Sequence, residues 1–472
     1  MSKQSAMFIC QNCGWQSPRW AGQCGSCSSW NSLIEEVQTS SSKRSPSKVE
    51  ASATSFNHIE AWHNGERLST TIHELDRVLG GDVKSGLVPG EVILLGGEPG
   101  IGKSTLLTQV AMGMITNSTQ KNKNKDDVVY VAGEESPQQV GLRIRRLLAN
   151  RPNNKEQTNN ETWTAKLEQL KFITTTDVDQ IVSYLAKQPP KLVIVDSIQT
   201  LITQDLSGSA GSIGQVREVT DRLIGVAKSH HIPIFLVGHV TKDGKLAGPM
   251  VLEHLVDAVL ELKGDKMSEL RILRSLKNRF GATDEVGVFR MTDEGYQEVS
   301  NPSEYFLETR ENSEPGSAVS CVVEGTRPLL IEVQALVIPT YLPQPRRIGR
   351  GISANRLQIL TAVLEKHAKI PLSRYDVFVS LAGGYESREP SLDLAICAAL
   401  ASSYADKPTP KGSVFIGEVG LLGEVRTAPL LARREKEATR LGYISVYSRK
   451  QTKTIAQVLS VVLVTKTLRA KK

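Results

Sequence analysis

The sequence predicts an α/β protein: a doubly wound, mostly parallel sheet with a phosphate-binding loop, a small cysteine knuckle before it and a second α/β unit after it. Three observations predict this. Short apolar runs alternate with helical patterns between about residues 59 and 300. One run leads directly into Gly97-Glu98-Pro99-Gly100-Ile101-Gly102-Lys103-Ser104. Four cysteines fall in the first 27 residues as two Cys-x2-Cys pairs.

Size and composition set the frame. At roughly 100–200 residues per domain, 472 residues make two to four domains. Hydrophobic residues at 40% and charged residues at 23% are ordinary for a globular chain. Aromatics at 5% disfavour a base-stacking sheet surface. A net charge of +7 with a pI near 8.9 leans toward a polyanionic partner. The longest apolar runs, 92–95, 192–195 and 232–237, fall short of the ~18 residues of a membrane span. The N-terminal MSKQSAMF lacks a signal-peptide apolar stretch, so no membrane is expected and the location predicted is cytoplasmic. Thiols stay reduced there, and the cysteines need a role other than disulfides.

Taken in order, residues 1–37 hold the knuckle. Cys10, Cys13, Cys24 and Cys27 give Cys-x2-Cys, ten residues, Cys-x2-Cys. Four thiolates satisfy tetrahedral Zn²⁺, and metal supplies the folding free energy that so small a module cannot gain from a core. Gly14 and Gly25 follow a cysteine of each pair and relieve the tight turns. DNA contact and protein docking both remain open as its role. Residues 38–58, rich in Ser, Thr and Lys over 38–55, read as a flexible linker. In the unit 59–300, the strands expected are 91–97, 128–133, 191–196 and 232–240, each nearly all apolar as strands covered on both faces require. Helices are expected at 103–114, 140–149 and 216–228, with polar loops at 117–127 and 150–162. The unit 301–472 has its own strands and helices at 355–367, 391–402 and 430–441. Cys321 and Cys397 sit in apolar contexts and read as core.

The chemistry centres on G-x4-G-K-S, placed between a strand and a helix as a phosphate loop must be. Residues Gly97 to Thr105 are the expected ATP-binding segment: glycines let backbone N–H groups wrap phosphates, and the helix N-terminus adds its dipole. Lys103 reaches the β- and γ-phosphates, and Ser104 ligates Mg²⁺. Asp196 ends a buried strand and fits the second carboxylate on the magnesium side; an N-cap role is the plain alternative. Glu134 or Glu135, after 128–133, can orient and deprotonate the attacking water, and spacing alone does not separate them. His239 also ends a strand at the ligand edge, where a lone His is more often structural.

The cysteine pairs, GGEPGIGKST, YVAGEES, VIVDSIQ, LVGHVTKDGKLAGP and LKNRFGA together resemble the RadA (Sms) family of bacterial DNA repair proteins, over nearly the whole chain. The resemblance implies a RecA-like P-loop ATPase core that processes recombination intermediates and drives branch migration. It implies a homo-oligomeric ring, a hexamer like the replicative helicases, acting on single-stranded and branched DNA beside a recombinase. By similarity, Glu134 is the water-activating glutamate, His239 a γ-phosphate sensor, and Lys277 and Arg279 of the Lys277-Asn278-Arg279-Phe280-Gly281 motif a pair acting on the neighbouring subunit's nucleotide. A solvated basic stretch or a DNA-phosphate contact is the alternative for that pair. Gly-rich loops 204–215 and 241–250, with Lys242 and Lys245, stand where RecA-like proteins touch single-stranded DNA; cations on flexible backbone suit phosphate contacts without sequence preference.

The C-terminal unit resembles the proteolytic domain of Lon through Glu389-Pro390-Ser391-Leu392-Asp393 and LAICAALASS. The nucleophile's partner lysine would fall near Ala432, beside Arg433. Neither side chain can act as a base, and Lys436 lies a turn further on. The implication is a Lon-like fold without peptidase activity. Two other classes compete with a DNA-driven motor: an ATP-dependent Lon-type protease, and a RecA-fold ATP switch or autokinase.

Overall fold

The computed structural model describes residues 6–10, 15–26, 28, 30, 32–37, 67–80, 85–116, 127–149, 163, 166–240, 246–247, 251–264, 269–307 and 314–463. The chain divides into two compact units, Met1–Glu298 and Val299–Lys472. The linker 38–58 and nearly all of the polar loops 117–127 and 150–162 lie outside the described residues.

The first unit opens with β1 (Ala6–Cys10), β2 (Gln16–Ser17) and β3 (Leu33–Val37), an antiparallel sheet in the order β2-β1-β3. After α1 (His73–Leu79), strands and helices alternate. They are β4 (Val92–Gly97), α2 (Lys103–Thr116), β5 (Val128–Ala132), α3 (Pro137–Ala149), β6 (Leu170–Ile173), α4 (Val178–Lys187), β7 (Leu192–Asp196), α5 (Ile213–His230) and β8 (Ile234–Val237). The short strands β9 (His239–Val240) and β10 (Leu246–Ala247) pair with each other. Then α6 (Val251–Leu255) leads to β11 (Ala258–Lys263), β12 (Leu270–Asn278), β13 (Val286–Thr292) and β14 (Gly295–Glu298). The large sheet has nine strands in the order β14-β13-β12-β11-β4-β8-β7-β5-β6. From β11 to β6 neighbouring strands are parallel; β11 to β14 form antiparallel hairpins.

Successive side chains of a strand point to opposite faces, and here both faces are apolar. Ile93, Leu95, Tyr130 and Ile194 pack into one core, while Val92, Leu94, Val129, Val131, Val193 and Val195 pack into the other. This double burial is why the strands read as unbroken apolar runs. It also fixes the carboxyl ends of β4, β5, β7 and β8 along one edge.

The second unit contains α7 (Pro302–Leu307), β15 (Ser317–Glu324), β16 (Arg327–Pro339), β17 (Arg347–Arg350), α8 (Ala354–Ala368), β18 (Tyr375–Leu381) and α9 (Asp393–Ala405). It continues with β19 (Ser413–Phe415), β20 (Glu418–Val419), β21 (Val425–Arg426), α10 (Leu431–Arg440), β22 (Ser445–Tyr447) and α11 (Ile455–Leu463). Its mixed six-stranded sheet has the order β17-β18-β16-β15-β19-β22. In α9 every residue from Asp393 to Ser402 is buried, so this small-residue helix runs through the core.

Candidate active site

β4 ends at Gly97, and the chain turns over residues 98–102 into α2. Gly100 and Gly102 adopt left-handed backbone, with φ of +79° and +108°, which side chains disfavour. A Cβ on Gly102 would also lie 2.4 Å from the Tyr296 hydroxyl. That hydroxyl donates to the Ile101 carbonyl at 2.8 Å, so β14 props the loop from beneath. Glu98, Pro99 and Gly100 form an exposed crest, while Ile101 and Lys103 are buried. The first turn of α2 carries no acidic residue, so its positive dipole end is clear for an anion.

Lys103 Nζ donates to the carbonyls of Gly97 at 2.8 Å and Glu98 at 3.1 Å. Burial pushes its ammonium below the usual lysine range; Asp196 and Glu134 pull it upward. Asp196 ends β7, and Glu134 lies two residues past the end of the neighbouring β5. Asp196 is buried, and its Oδ2 accepts from the Tyr130 hydroxyl at 2.7 Å. Its main-chain carbonyl accepts from Gly133 N at 2.9 Å and Glu134 N at 3.0 Å, which ties the turn after β5 to the end of β7. The N-cap of the short 3-10 turn Ile198–Thr200 falls on Ser197, so Asp196 is not the cap. The two glutamates separate as well. Glu135 is held by Arg143, with Nη2 to Oε2 at 2.6 Å, whereas Glu134 is exposed and acts electrostatically on Lys103.

His239 lies in β9, just past the carboxyl end of β8, and its side chain is outside the described residues, as are Lys242 and Lys245. Of loop 204–215, the last three residues form the first turn of α5. Buried Gln215 pins the loop: Nε2 donates to Thr203 O at 3.0 Å and Leu206 O at 2.7 Å, and Oε1 accepts from Thr203 N at 2.8 Å.

Lys277 and Arg279 are not beside this site. Asn278 pairs with Ala258, and Ala258 pairs with Ile93, near the start of β4. The phosphate loop begins at Gly97, about 13 Å further along the strand at ~3.3 Å per residue. The motif therefore stands on the amino edge of the sheet, opposite the nucleotide edge. Lys277 Nζ donates to the carbonyls of Glu253 at 2.7 Å and Val256 at 2.8 Å, closing the end of α6. Arg279 is half exposed, and its Nη1 meets Asp257 Oδ1 at 3.2 Å.

In the knuckle, Cys10 and Cys24 are buried, and Ser26 N donates to Cys24 Sγ at 3.4 Å. Cys10 Sγ lies 3.2 Å from Ser32 Oγ, and the backbone N–H received by the buried Cys24 sulfur fits a metal-bound thiolate. Cys13 and Cys27 lie outside the described residues, as does Gly14. Trp15, Trp20 and Trp30 are all exposed on this module, which the low overall aromatic content concealed.

In the second unit, Ser391 is fully buried, and the residue beside it is Arg434 rather than Ala432, Arg433 or Lys436, which are exposed. Arg434 Nη1 donates to Ser391 Oγ at 3.1 Å and also to Cys321 O, Nε donates to Pro429 O at 2.8 Å, and Nη2 pairs with Glu389. Arg434 lies two positions beyond Ala432, because the buried face of α10 carries Leu431, Arg434 and Ala438. A guanidinium stays protonated at accessible pH, so this serine has no basic partner in it. Cys321 and Cys397 are both buried, and burial pushes the Cys321 thiol up to about 12.

Tyr130, Tyr296 and Asp257 also escaped sequence reading. Only Tyr130 left a signal, a hydroxyl inside the otherwise apolar VVYVA.

A phosphate loop propped on a doubly wound sheet, with two carboxylates at its edge, defines a RecA-like ATPase core preceded by a zinc ribbon. Comparison with known proteins agrees. Residues 65–245 match the AAA domain family, and residues 8–35 match the Rubredoxin metal binding domain family. DNA repair protein RadA of Bacillus subtilis (strain 168) is 43% identical over 455 residues, covering 94% of this chain and 92% of that one. DNA repair protein RadA of Listeria monocytogenes serovar 1/2a is 42% identical over 453 residues, with 94% and 92% covered. DNA repair protein RadA of Streptococcus pyogenes serotype M6 is 43% identical over 452 residues, with 95% and 94% covered. The chain belongs to the RadA family. Among the described residues, no helix is long and apolar enough to cross a membrane.

Proposed function

We propose that this chain is a DNA-dependent ATPase of recombination and repair that assembles into a hexameric ring and drives branch migration on single-stranded and branched DNA. One observation carries the reading: the nucleotide residues gather at one edge of the sheet, and the Lys277–Gly281 motif stands at the other. A subunit so built cannot bring Arg279 to its own nucleotide, but a head-to-tail neighbour brings its amino edge against the carboxyl edge of the next copy.

The residues then take these roles. Backbone N–H groups of residues 97–105 cradle the phosphates. Lys103 leaves the Gly97 and Glu98 carbonyls for the γ-phosphate. Ser104 and Asp196 would hold Mg²⁺, which would neutralise charge on the phosphates, and Tyr130 fixes the Asp196 carboxylate. Glu134 takes a proton from the attacking water as its oxygen bonds to the γ-phosphorus and the bond to ADP breaks. His239 reads the γ-phosphate, and Lys277 and Arg279 of the adjoining subunit stabilise charge on the transferring group. Loop 204–212 and Lys242 and Lys245 meet DNA phosphates. Cys10, Cys13, Cys24 and Cys27 would hold Zn²⁺, which supplies the folding energy of a module poised to meet DNA or a recombinase. The Lon-like unit serves assembly or DNA contact, since Arg434 leaves Ser391 without a base.

Mixing mutant subunits tests this. Arg279→Ala is expected to keep ATP and DNA binding and lose DNA-stimulated turnover. Lys103→Ala subunits still lend Arg279, so mixed rings of the two regain turnover. No recovery at any ratio, with mixed assembly verified by mass, refutes the trans role; ATP hydrolysis indifferent to single-stranded DNA refutes the motor.

A further inference from the structure

We infer that Asp257 is the positioning residue that aims Arg279 across the subunit boundary; this rests on the trans reading of Arg279. The arm has few ways of being held. Arg279 is half exposed, follows the last residue of β12 and carries a long side chain with many rotamers. A trans group must nevertheless stand within a fraction of an ångström of its target, and misplacement by about 1 Å can cost ~10²-fold in rate.

Asp257 supplies the missing constraint at both the backbone and the side chain. Its carbonyl accepts from Arg279 N at 3.1 Å, and its Oδ1 accepts from Arg279 Nη1 at 3.2 Å. The carboxylate is buried, and its other oxygen is anchored: Oδ2 accepts from Val92 N at 3.0 Å and from Lys228 Nζ. Asp257 N in turn donates to Val92 O at 2.9 Å. The reference point for the arm is therefore the first residue of β4, whose last residue begins the phosphate loop. A strand buried on both faces is among the stiffest elements a fold can offer, so one carboxylate transfers its position to the guanidinium.

The neighbouring contacts fit a clamp rather than a chance ion pair. Lys228 lies 5.5 Å from the Phe280 ring centroid, Arg67 donates to the Phe280 carbonyl, and Asn278 Nδ2 donates to Leu79 O at 3.1 Å. These hold Asn278 and Phe280 on either side of Arg279 but leave its guanidinium to Asp257.

The experiment uses the full-length protein, with ATP affinity and single-stranded-DNA-stimulated turnover measured separately. Asp257→Asn keeps the size of the side chain and an acceptor for Val92 N, and removes the charge that orients Arg279. Turnover is expected to fall roughly 10–100-fold while ATP affinity holds. The double variant Asp257→Asn/Arg279→Ala is expected to be no slower than Arg279→Ala alone, because a positioning residue has nothing left to position. A double variant slower by the product of the single effects, weakened ATP binding, or unchanged turnover in Asp257→Asn overturns the inference. If Asp257→Asn unfolds, Asp257→Asn/Lys228→Met removes the facing charge as well and carries the same comparison. Unfolding of both makes Asp257 a purely structural carboxylate and overturns the inference too. The two readings fail separately: normal stimulated turnover in Arg279→Ala refutes the trans role itself, whereas an inactive Arg279→Ala beside a fully active Asp257→Asn refutes only the positioning.

Discussion

Two buried cations, one in each unit, sit beside a helix N-terminus, and their partners differ. Lys103 is held by two main-chain carbonyls of a glycine-rich loop. Arg434 is held by the Glu389 carboxylate, two carbonyls and the Ser391 hydroxyl. Neutral carbonyls are partners that a phosphate's full negative charge can displace. The Arg434–Glu389 pair is harder to displace, because separating them strands a fully buried guanidinium in low dielectric. Burial alone does not distinguish a working cation from a structural one; what satisfies it does. Lys103 is available to a ligand, and Arg434 is committed to its neighbours.

The largest effect expected tests the first half. Lys103→Ala should lower ATP turnover by roughly 10²–10³-fold or more, since charge on the transferring phosphoryl group loses its nearest cation. Its thermal unfolding should stay close to that of the parent. Arg434→Ala should do the reverse, leaving ATP affinity alone and destabilising the protein by about 2–4 kcal/mol, because the buried Ser391 hydroxyl and Cys321 carbonyl lose their donor and the partly exposed Glu389 loses its charge partner. Denaturant unfolding reads this directly. Arg434→Met/Glu389→Gln should recover much of the loss; a double variant as unstable as the single one would mean that packing, not charge, holds the site.

The sequence carried the parts of this contrast that depend on local order. The phosphate loop, the strand before it and the helix after it follow from glycine spacing and apolar runs. Long-range satisfaction was not legible. Nothing near residue 434 announces a bond to Ser391, 43 positions away. Tyr296 lies 195 positions beyond the loop residue it supports. The hairpins β12 to β14 were likewise not separated, because β12 interleaves Arg271 and Arg274 with its apolar residues and lacks the unbroken run of β4 or β7.

A third buried group sharpens the comparison, since it has neither kind of full satisfaction. Glu91 is buried just before β4; Oε2 accepts from Val88 N at 2.9 Å, and Oε1 has no hydrogen-bond partner. Burial pushes its carboxyl up to about 7 from 4.5, with Arg67 and Lys228 opposing and Asp257 adding to the rise. A raised acid folds best protonated. Stability from this group is complete below pH 4.5 and declines as pH rises through about 7, by on the order of 3 kcal/mol in all. Glu91→Gln should therefore be more stable than the parent at pH 8 and show a flatter profile from pH 5 to 8. Parallel profiles for the two proteins would mean that Glu91 stays ionised when folded.

The smallest effect expected decides between the adjacent acids that spacing could not separate. Glu135 is bound by Arg143 on α3, a pair with the arginine mostly covered and the glutamate partly exposed. A partly exposed pair of this kind contributes at most about 1 kcal/mol, so Glu135→Gln should cost little stability and leave the rate of hydrolysis within about threefold. Glu134 is the exposed member, tied through its backbone to the Asp196 carbonyl and sharing Asp196's influence on Lys103. Glu134→Gln keeps that backbone tie and the side chain's size but removes the carboxylate that accepts a proton from water. General-base removal of this kind costs roughly 10²–10⁴-fold, while ATP binding needs only the loop, Lys103 and the metal residues. Single-turnover hydrolysis and nucleotide affinity, measured on both variants, give the answer in one experiment. If Glu135→Gln is the slower of the two, Arg143 releases its partner when nucleotide binds, and the rule drawn from Lys103 and Arg434 fails for a carboxylate whose ion pair is only partly covered.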